Sequence, residues 1–521
     1  MENNETSFIQ KNSSGQLSAE KLINQQNNLL NKRIEKLTIW LKKPNNLILT
    51  LLLILAFAIR LYYFYLTKGQ AVWWDASEYL NMARAFAFGI DYEFHSVRPI
   101  LFSLIIALFF KIGSGEFLAR VFIFSLSFAS VLGMYLLGKE LYNRKVGLIC
   151  AFLMSIFSLA LFFTYRVMVD LPSMTFFVFS AYLFFRYIKK RENKILYLGA
   201  VVIGIGTLMR ITTATFLFVF FIFVLVTEKL SILKRKEYWI AGIIFILVLL
   251  PYIIWGYVQF GVFIITESGK LNAPEGNALI SGFNNIISYS SLFKFNLTWP
   301  LLIFFYLGLI SMYKLILGFD ILIKGKDFKL KRDFFLLLLF LVPFVIISTA
   351  LGGVENRYVM NAYPAILIIS GAFLSKSYNL IKKNNKIIAI ILLMILLSSI
   401  MFLQLKNTDT LIKSKISSYI ELKQAGLWLK GNSEPSDIIL SLSPHQIKYY
   451  SERAVLATPR DKEEFESLIS SNPKIKFFII SIHEPHEQWM YPYPQENNFT
   501  AVQAYFADAN QQQPVLVIYR L

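Results

Sequence analysis

Cysteine is nearly missing: Cys150 is the only one in 521 residues. That excludes a disulfide scaffold and any cysteine-built zinc or iron–sulfur centre. Histidine occurs four times, which argues against a multi-histidine metal site. Acidic residues are also short, with 33 Asp and Glu against 52 Lys and Arg, a formal charge of +19. No internal repeat is visible, and low complexity is confined to an Asn- and Gln-rich start.

Apolar residues fill the remainder. They make up 56% of the chain before glycine is added, with 48 Phe among them, and mean hydropathy is +0.53. Soluble domains sit near about 45–50% with glycine included. No soluble interior hides this much Phe, Ile and Leu, so the bilayer must act as part of the solvent. Lys and Arg fall in short clusters between apolar runs. That pattern reads as a topology signal rather than a nucleic-acid surface, and no basic helix or RNA-binding motif accompanies it.

Eleven runs read as membrane spans: 46–66, 117–137, 146–163, 171–188, 195–209, 211–226, 238–257, 299–317, 334–351, 359–374 and 387–405. The stretch 99–112 is too short to span unaided, and charge decides its place. If it lies in the membrane surface, the clusters beginning at Lys139, Arg186, Lys229, Lys324 and Lys376 share one side with the basic end of the N-terminal tail. The other side keeps scattered cations, among them Arg84, Arg98, Arg166, Arg210, Lys270 and Arg357. The positive-inside rule then puts the N-terminus in the cytoplasm, as a polar tail over 1–43 rather than a signal peptide. Residues 44–405 form the membrane domain. Residues 406–521 carry strand-length apolar runs at 438–442, 475–482 and 515–519 between helical stretches. The expected fold is an α-helical polytopic membrane protein of about 11 transmembrane helices, with interfacial helices in the first outer loop and a small extracytoplasmic α/β domain at the C-terminus.

Chemistry-bearing residues collect on the outer face. Trp73-Trp74-Asp75 precedes an amphipathic helix expected over 76–88, with Tyr79, Leu80, Ala83 and Phe86 on its apolar stripe. Asp75 is either its N-cap, worth about 1 kcal/mol, or a general base at the membrane surface. Glu78, three residues on, shares its face. Asp170, just before Leu171-Pro172, is likewise a helix cap or a functional carboxylate at a span end. Glu355, Arg357 and Tyr358 occupy a short outer turn, and His95 and Arg98-Pro99 close the first loop. Arginines at this boundary either snorkel to headgroups or clamp phosphate bidentately, and Arg60 has the same two readings. Arg210 reads as a turn residue. His483-Glu-Pro-His486-Glu487 has two histidines, but its proline and spacing favour a solvated loop over a metal helix. Trp489, Tyr491 and Tyr493 are candidates to rest on membrane or acceptor.

In order, an Asp after an aromatic pair, a Tyr79-Leu80-x-x-Ala83 helix, Arg98-Pro99, Ala119-Arg120, Arg166…Asp170-x-Pro172 and Arg357-Tyr358 followed by Pro364 resemble the GT-C glycosyltransferases. The branch is that of protein O-mannosyltransferases and aminoarabinose transferases, and the resemblance covers about residues 46–405. It implies an enzyme that moves a hexose or pentose from a polyprenyl-phosphate carrier to a glycan, lipid or protein acceptor outside the cytoplasm. It implies Asp75 as catalytic base in an inverting displacement, with Asp170 and Glu78 as further catalytic carboxylates. Arg98, Arg357, Glu355, Tyr358 and His95 are the implied substrate ligands. The chain departs from the family's adjacent Asp-Glu pair, since Ala76 follows Asp75 and the glutamate stands at 78. No cofactor is required by this reading, and a divalent cation is left open. Membrane lipids are partners and nucleic acid is not. The rival reading is a transporter or lipid flippase, which would call for repeats, broken helices and midplane charges.

Overall fold

A computed structural model describes residues 38–95, 98–263, 278–323, 327–507, 510 and 512–521, with positions 26, 31, 32 and 35 before them. Most of the N-terminal tail lies outside the described residues, as do Lys270, Lys324 and Lys326 of the charge argument. The chain forms two compact units, residues 1–55 and 56–521. In the first, Asn46 Nδ2 donates to the Trp40 carbonyl at 3.0 Å near the start of helix α1 (Pro44–Thr67).

Among the described residues, nine helical segments are long and apolar enough to cross a membrane. They coincide largely with α1, α4 (Gly115–Leu141), α7 (Asp170–Lys190), α9 (Thr215–Glu228), α10 (Lys236–Phe260), α11 (Ala278–Ile310), α12 (Phe328–Ala350), α13 (Tyr363–Asn384) and α14 (Lys386–Lys413). Two further expected spans take other forms. The run at 195–209 is a helix of 17 residues, α8 (Asn193–Met209). The run at 146–163 is broken into α5 (Arg144–Ile156) and α6 (Ser158–Phe163) by an extended Phe157. Between α1 and α4 lie α2 (Trp74–Phe88) and α3 (Leu101–Lys111), the latter short, as the 99–112 run suggests.

The break at Phe157 frees backbone groups among residues that are fully buried, and each needs a partner. Arg60 supplies one side: its guanidinium donates to the carbonyls of Met154 and Ser155 at 3.3 and 3.1 Å and to Ser127 Oγ at 2.8 Å. Gln404 supplies the other, accepting from the Ser158 N–H at 2.9 Å. Arg60 is fully buried. It therefore reaches neither headgroup nor substrate phosphate; its place is structural.

Helix α11 is kinked by the same logic. Pro300 has no N–H for the Asn296 carbonyl four residues back, and Thr298 sits at φ 58°. Gln404 Nε2 takes over, donating to the carbonyls of Asn296 and Leu297 at 3.1 and 2.8 Å. The Asn296 side chain then bonds Asn356 Oδ1 at 2.8 Å and Tyr363 Oη at 2.7 Å. One buried glutamine thus serves both irregularities, and the kink holds the 352–358 turn.

Helix α2 begins two residues earlier than the sequence pattern suggests and ends at Gly89, whose φ of +69° a side chain would resist. It is buried well beyond one apolar stripe, with Glu78 and Asn81 enclosed along with Tyr79 and Leu80. The C-terminal segment explains this. It contains α15 (Ile420–Asn432), β1 (Ile438–Ser441), α16 (Pro444–Ser451), β2 (Ala454–Ala457), α17 (Lys462–Ser471), β3 (Ile475–Ser481), β4 (Thr500–Phe506) and β5 (Pro514–Arg520). The sheet order is β2-β1-β3-β5-β4, parallel across the first three and antiparallel beyond. Helix α16 lies on α2: Asn81 Nδ2 donates to the His445 carbonyl at 2.8 Å, and the Val72 N–H donates to Tyr450 Oη at 2.8 Å. Trp489 and Tyr493 pack on Phe465 inside this domain; Tyr491 stays exposed. His483 pairs with Glu421 at 3.3 Å.

Helices α4 and α5 approach through glycine. A Cβ on Gly147 would stand 2.7 Å from the Tyr135 carbonyl and 3.1 Å from the Lys139 nitrogen, both backbone, whereas one on Gly242 would meet open space. Gly147→Ala should therefore lower the thermal midpoint of the detergent-purified protein. Gly242→Ala should leave or raise it, since alanine is the better helix former by about 1 kcal/mol. Equal midpoints would show slack between α4 and α5.

Candidate active site

Asp75 sits in the first turn of α2, whose N-cap is Trp73 with no side-chain cap bond. Its carboxylate therefore does not cap the helix. It is committed to two arginines from distant segments. Arg98 Nη2 donates to Oδ1 at 3.0 Å, and Arg357 Nη1 donates to Oδ2. Arg98 also pairs through Nε with Glu78 Oε2, so one guanidinium holds both carboxylates of α2. Glu78 Oε1 faces Trp74 Nε1 and His445 Nε2, each at 3.2 Å. Arg357 is fixed in turn by Glu355 at 2.6 Å, and Tyr358 Oη donates to the same glutamate at 2.9 Å.

Asp170 opens α7 and is likewise no cap. It forms an ion pair with Arg210, and its Oδ2 has no hydrogen-bond partner among the described residues. Arg210 leaves α8 in extended backbone, and the Tyr358 ring lies 5.7 Å from its guanidinium. From its own neighbours in the sequence Arg210 reads as a turn residue. The signal was its position: a lone cation between two spans, away from the basic clusters. Arg166 is enclosed between Phe162 and Trp73, 3.6 and 4.2 Å from their ring centroids, and packs rather than binds.

Two cavities meet at this cluster. One, of about 320 Å³, is polar and lined by Asp75, Arg98, Asp170, Arg210, Arg357 and Tyr358 among others. The other, of about 480 Å³, is walled by Trp73, Trp74, Phe162, Phe163 and Tyr419. Asp75, Met168, Glu355 and Arg357 line both. The Asp170 side chain is 0% exposed and that of Asp75 is 23% exposed, so Asp75 is the carboxylate a ligand can reach. His95 stands apart from both cavities, near His445.

The electrostatics separate the two carboxylates of α2. Burial pushes Asp75 up, but Arg98 and Arg357 outweigh it and hold the acid below its ordinary range. Burial also pushes Glu78 up; there the opposing Arg98 does not prevail, and the Asp75 charge adds to the rise. Burial, with His95 and Arg98 adjoining, lowers His445 to about 4 and keeps it neutral at pH 7. Glu78, His95 and His445 are the group among the described residues whose donor atoms lie close enough to share a metal ion, despite the scarcity of histidine.

The Asp170–Arg210 pair gives a stability test. Removing one partner of a buried pair leaves an uncompensated charge and costs about 3–5 kcal/mol. Arg210→Ala should show a loss of that order in unfolding of the purified protein, and adding Asp170→Asn should recover much of it. A double variant no more stable than Arg210→Ala would mean the two charges do not compensate each other.

Residues 97–255 match the family described as dolichyl-phosphate-mannose-protein mannosyltransferase. No curated protein matches the sequence. Among solved structures, ArnT from Cupriavidus metallidurans in the apo state is 11% identical, with a TM-score of 0.63 over 91% of this chain and 97% of that one. The same protein bound to undecaprenyl phosphate gives 12%, 0.58, 91% and 97%. The apo oligosaccharyltransferase from Archaeoglobus fulgidus is 12% identical, with a TM-score of 0.60 over 85% of this chain and 70% of its own. At such identities the likeness is one of architecture, and by that architecture the chain is a polytopic membrane protein of the GT-C fold.

Proposed function

We propose that this protein is a glycosyltransferase that moves a sugar from a polyprenyl-phosphate carrier to an acceptor on the extracytoplasmic face. The observation that carries the reading is the position of Asp75, on the wall common to an arginine-rich cavity and an aromatic one. The fold supports it, as does the solved ArnT complex with undecaprenyl phosphate. So does the archaeal oligosaccharyltransferase AglB, solved with an inhibitory peptide and a dolichol-phosphate. The cation bias of the loops supports a cytoplasmic N-terminus.

In the proposed reaction the carrier phosphate docks against Arg357 and Arg98 in the polar cavity, with Arg210 behind them. Guanidinium and phosphate match bidentately. The phosphate competes with Asp75 for these cations. Its arrival frees the Asp75 carboxylate, whose basicity the two arginines otherwise suppress. The acceptor hydroxyl approaches from the aromatic cavity. Its oxygen attacks the anomeric carbon as the bond from that carbon to the phosphate oxygen breaks, and its proton passes to Asp75. Charge building on the departing phosphate is met by the fixed guanidiniums. Attack opposite the leaving group inverts the anomeric centre. Glu78 holds Arg98 in place, and the enclosed Asp170 holds Arg210. Carboxylates gathered at one end of the helices fit this interfacial chemistry better than a transport pathway with charges at midplane.

Purified protein, given polyprenyl-phosphate hexoses and pentoses, should release free polyprenyl phosphate. Asp75→Asn should slow release by about 10²–10⁴-fold, the usual worth of a general base, while the thermal midpoint stays measurable and the protein monodisperse. Near-normal turnover would remove Asp75 as base. Arg357→Ala should weaken carrier binding by about 10–100-fold, the equivalent of one charge-assisted hydrogen bond. Unchanged affinity would take Arg357 out of the phosphate site.

A further inference from the structure

We propose that Glu78, His95 and His445 form a binding site for a divalent transition cation of the zinc class, clamping the C-terminal domain onto the helix that carries Asp75. One donor atom from each of the three residues lies within 4.8 Å of the others. One edge of this triangle, His445 Nε2 to Glu78 Oε1, is 3.2 Å. Tetrahedral zinc with bonds of about 2.0 Å sets its ligands about 3.3 Å apart. Two imidazoles and one carboxylate are a set that zinc accepts, leaving a fourth position for water or a substrate oxygen.

The surroundings orient these ligands. Glu78 is buried and its two oxygens are divided: Oε2 pairs with Arg98, and Oε1 points to His445. Trp74 donates to Oε1, and its ring stands edge-to-face with the His445 ring, 5.1 Å between centroids. The His445 carbonyl accepts from Asn81, which seats α16 on α2. Outer bonds of this kind fix metal ligands in most sites. The His95 ring centroid lies 6.3 Å from that of His445, and among the described residues its ring nitrogens have no hydrogen-bond partner, which suits them to a ligand role. The three ligands come from α2, from the loop after it and from α16. A bound cation would therefore join the first loop to the C-terminal domain, and its charge would add to that of Arg98 beside the polar cavity.

The test reads metal and stands whether or not the transferase reading holds. Full-length protein, stripped by a chelator and desalted, should bind one equivalent of Zn²⁺ in competition with a chromophoric chelator. With Co²⁺ it should show the visible bands of a tetrahedral site. His95→Gln and His445→Ala should each weaken Zn²⁺ at least 10-fold, while His483→Ala should not. Among the described residues the His95 side chain makes no hydrogen bond, so His95→Gln remains informative if His445→Ala does not fold. Failure of the wild-type protein to bind Zn²⁺ below millimolar concentration would overturn the proposal. So would undiminished binding by His95→Gln, or a loss caused by His483→Ala.

Discussion

Asp75 cannot be taken out of water alone. It is desolvated by α2, the turn after α12 and the aromatic wall, and a carboxylate so placed needs cations. The sequence supplies them from 23 and 282 residues away, as Arg98 and Arg357. That requirement draws three separate stretches to one point. The first loop must fold back so that Arg98 reaches α2, and the 352–358 turn must come over α2 with Arg357. Glu355 and Tyr358, hydrogen-bonded to each other, then brace that turn. The polar cavity is the space these commitments leave.

The bundle below is shaped by a second use of polar groups. Helices broken inside an apolar bundle expose carbonyls and N–H groups that lipid cannot satisfy. Arg60 and Gln404, both fully buried, are placed at those breaks. Gln404 bonds the kink of α11 and the start of α6 together, and Asn296 passes the kink on to Asn356, the residue before Arg357. The position of Arg357 over Asp75 thus rests on a chain of hydrogen bonds reaching deep into the bundle, not on the turn alone.

Much of this was legible in the sequence because it follows from local patterns. Nine long helices, the short 101–111 helix and three of the five strands appear where apolar runs and charge clusters put them. Asp75, Arg98, Asp170, Arg357 and Tyr358, named from motif and face, line one cavity. What was not legible depends on partners remote in the chain. Arg60 reads from its own neighbourhood as a headgroup ligand, and only Phe157, 97 positions on by number, gives it work inside the bundle. Arg210 reads as a turn until Asp170 is beside it. The strands β2 and β4 are the two opposite edges of the sheet and hold no fully buried residue, so their short apolar stretches at 454–457 and 504–506 lack the pattern of a core strand. Helix α2 looks amphipathic because its polar face is written for α16, a contact more than 360 positions away.

The pairing of Asp75 has a consequence for any reaction at this centre. A carboxylate held by two guanidiniums is ionised but weakly basic, so the resting site is poorly set to take a proton. An incoming phosphate and Asp75 want the same cations. Whatever fraction of the arginine charge the phosphate takes is lost to Asp75, and the carboxylate becomes more basic as a result. Basicity would then rise only when a donor is in place. In the proposed transferase this couples the two substrates without any movement of the fold: the acceptor meets an effective base only after the donor has arrived. Glu78 is suited to make that exchange local, because it keeps its own hold on Arg98 while Arg98 shifts allegiance from Asp75 to phosphate.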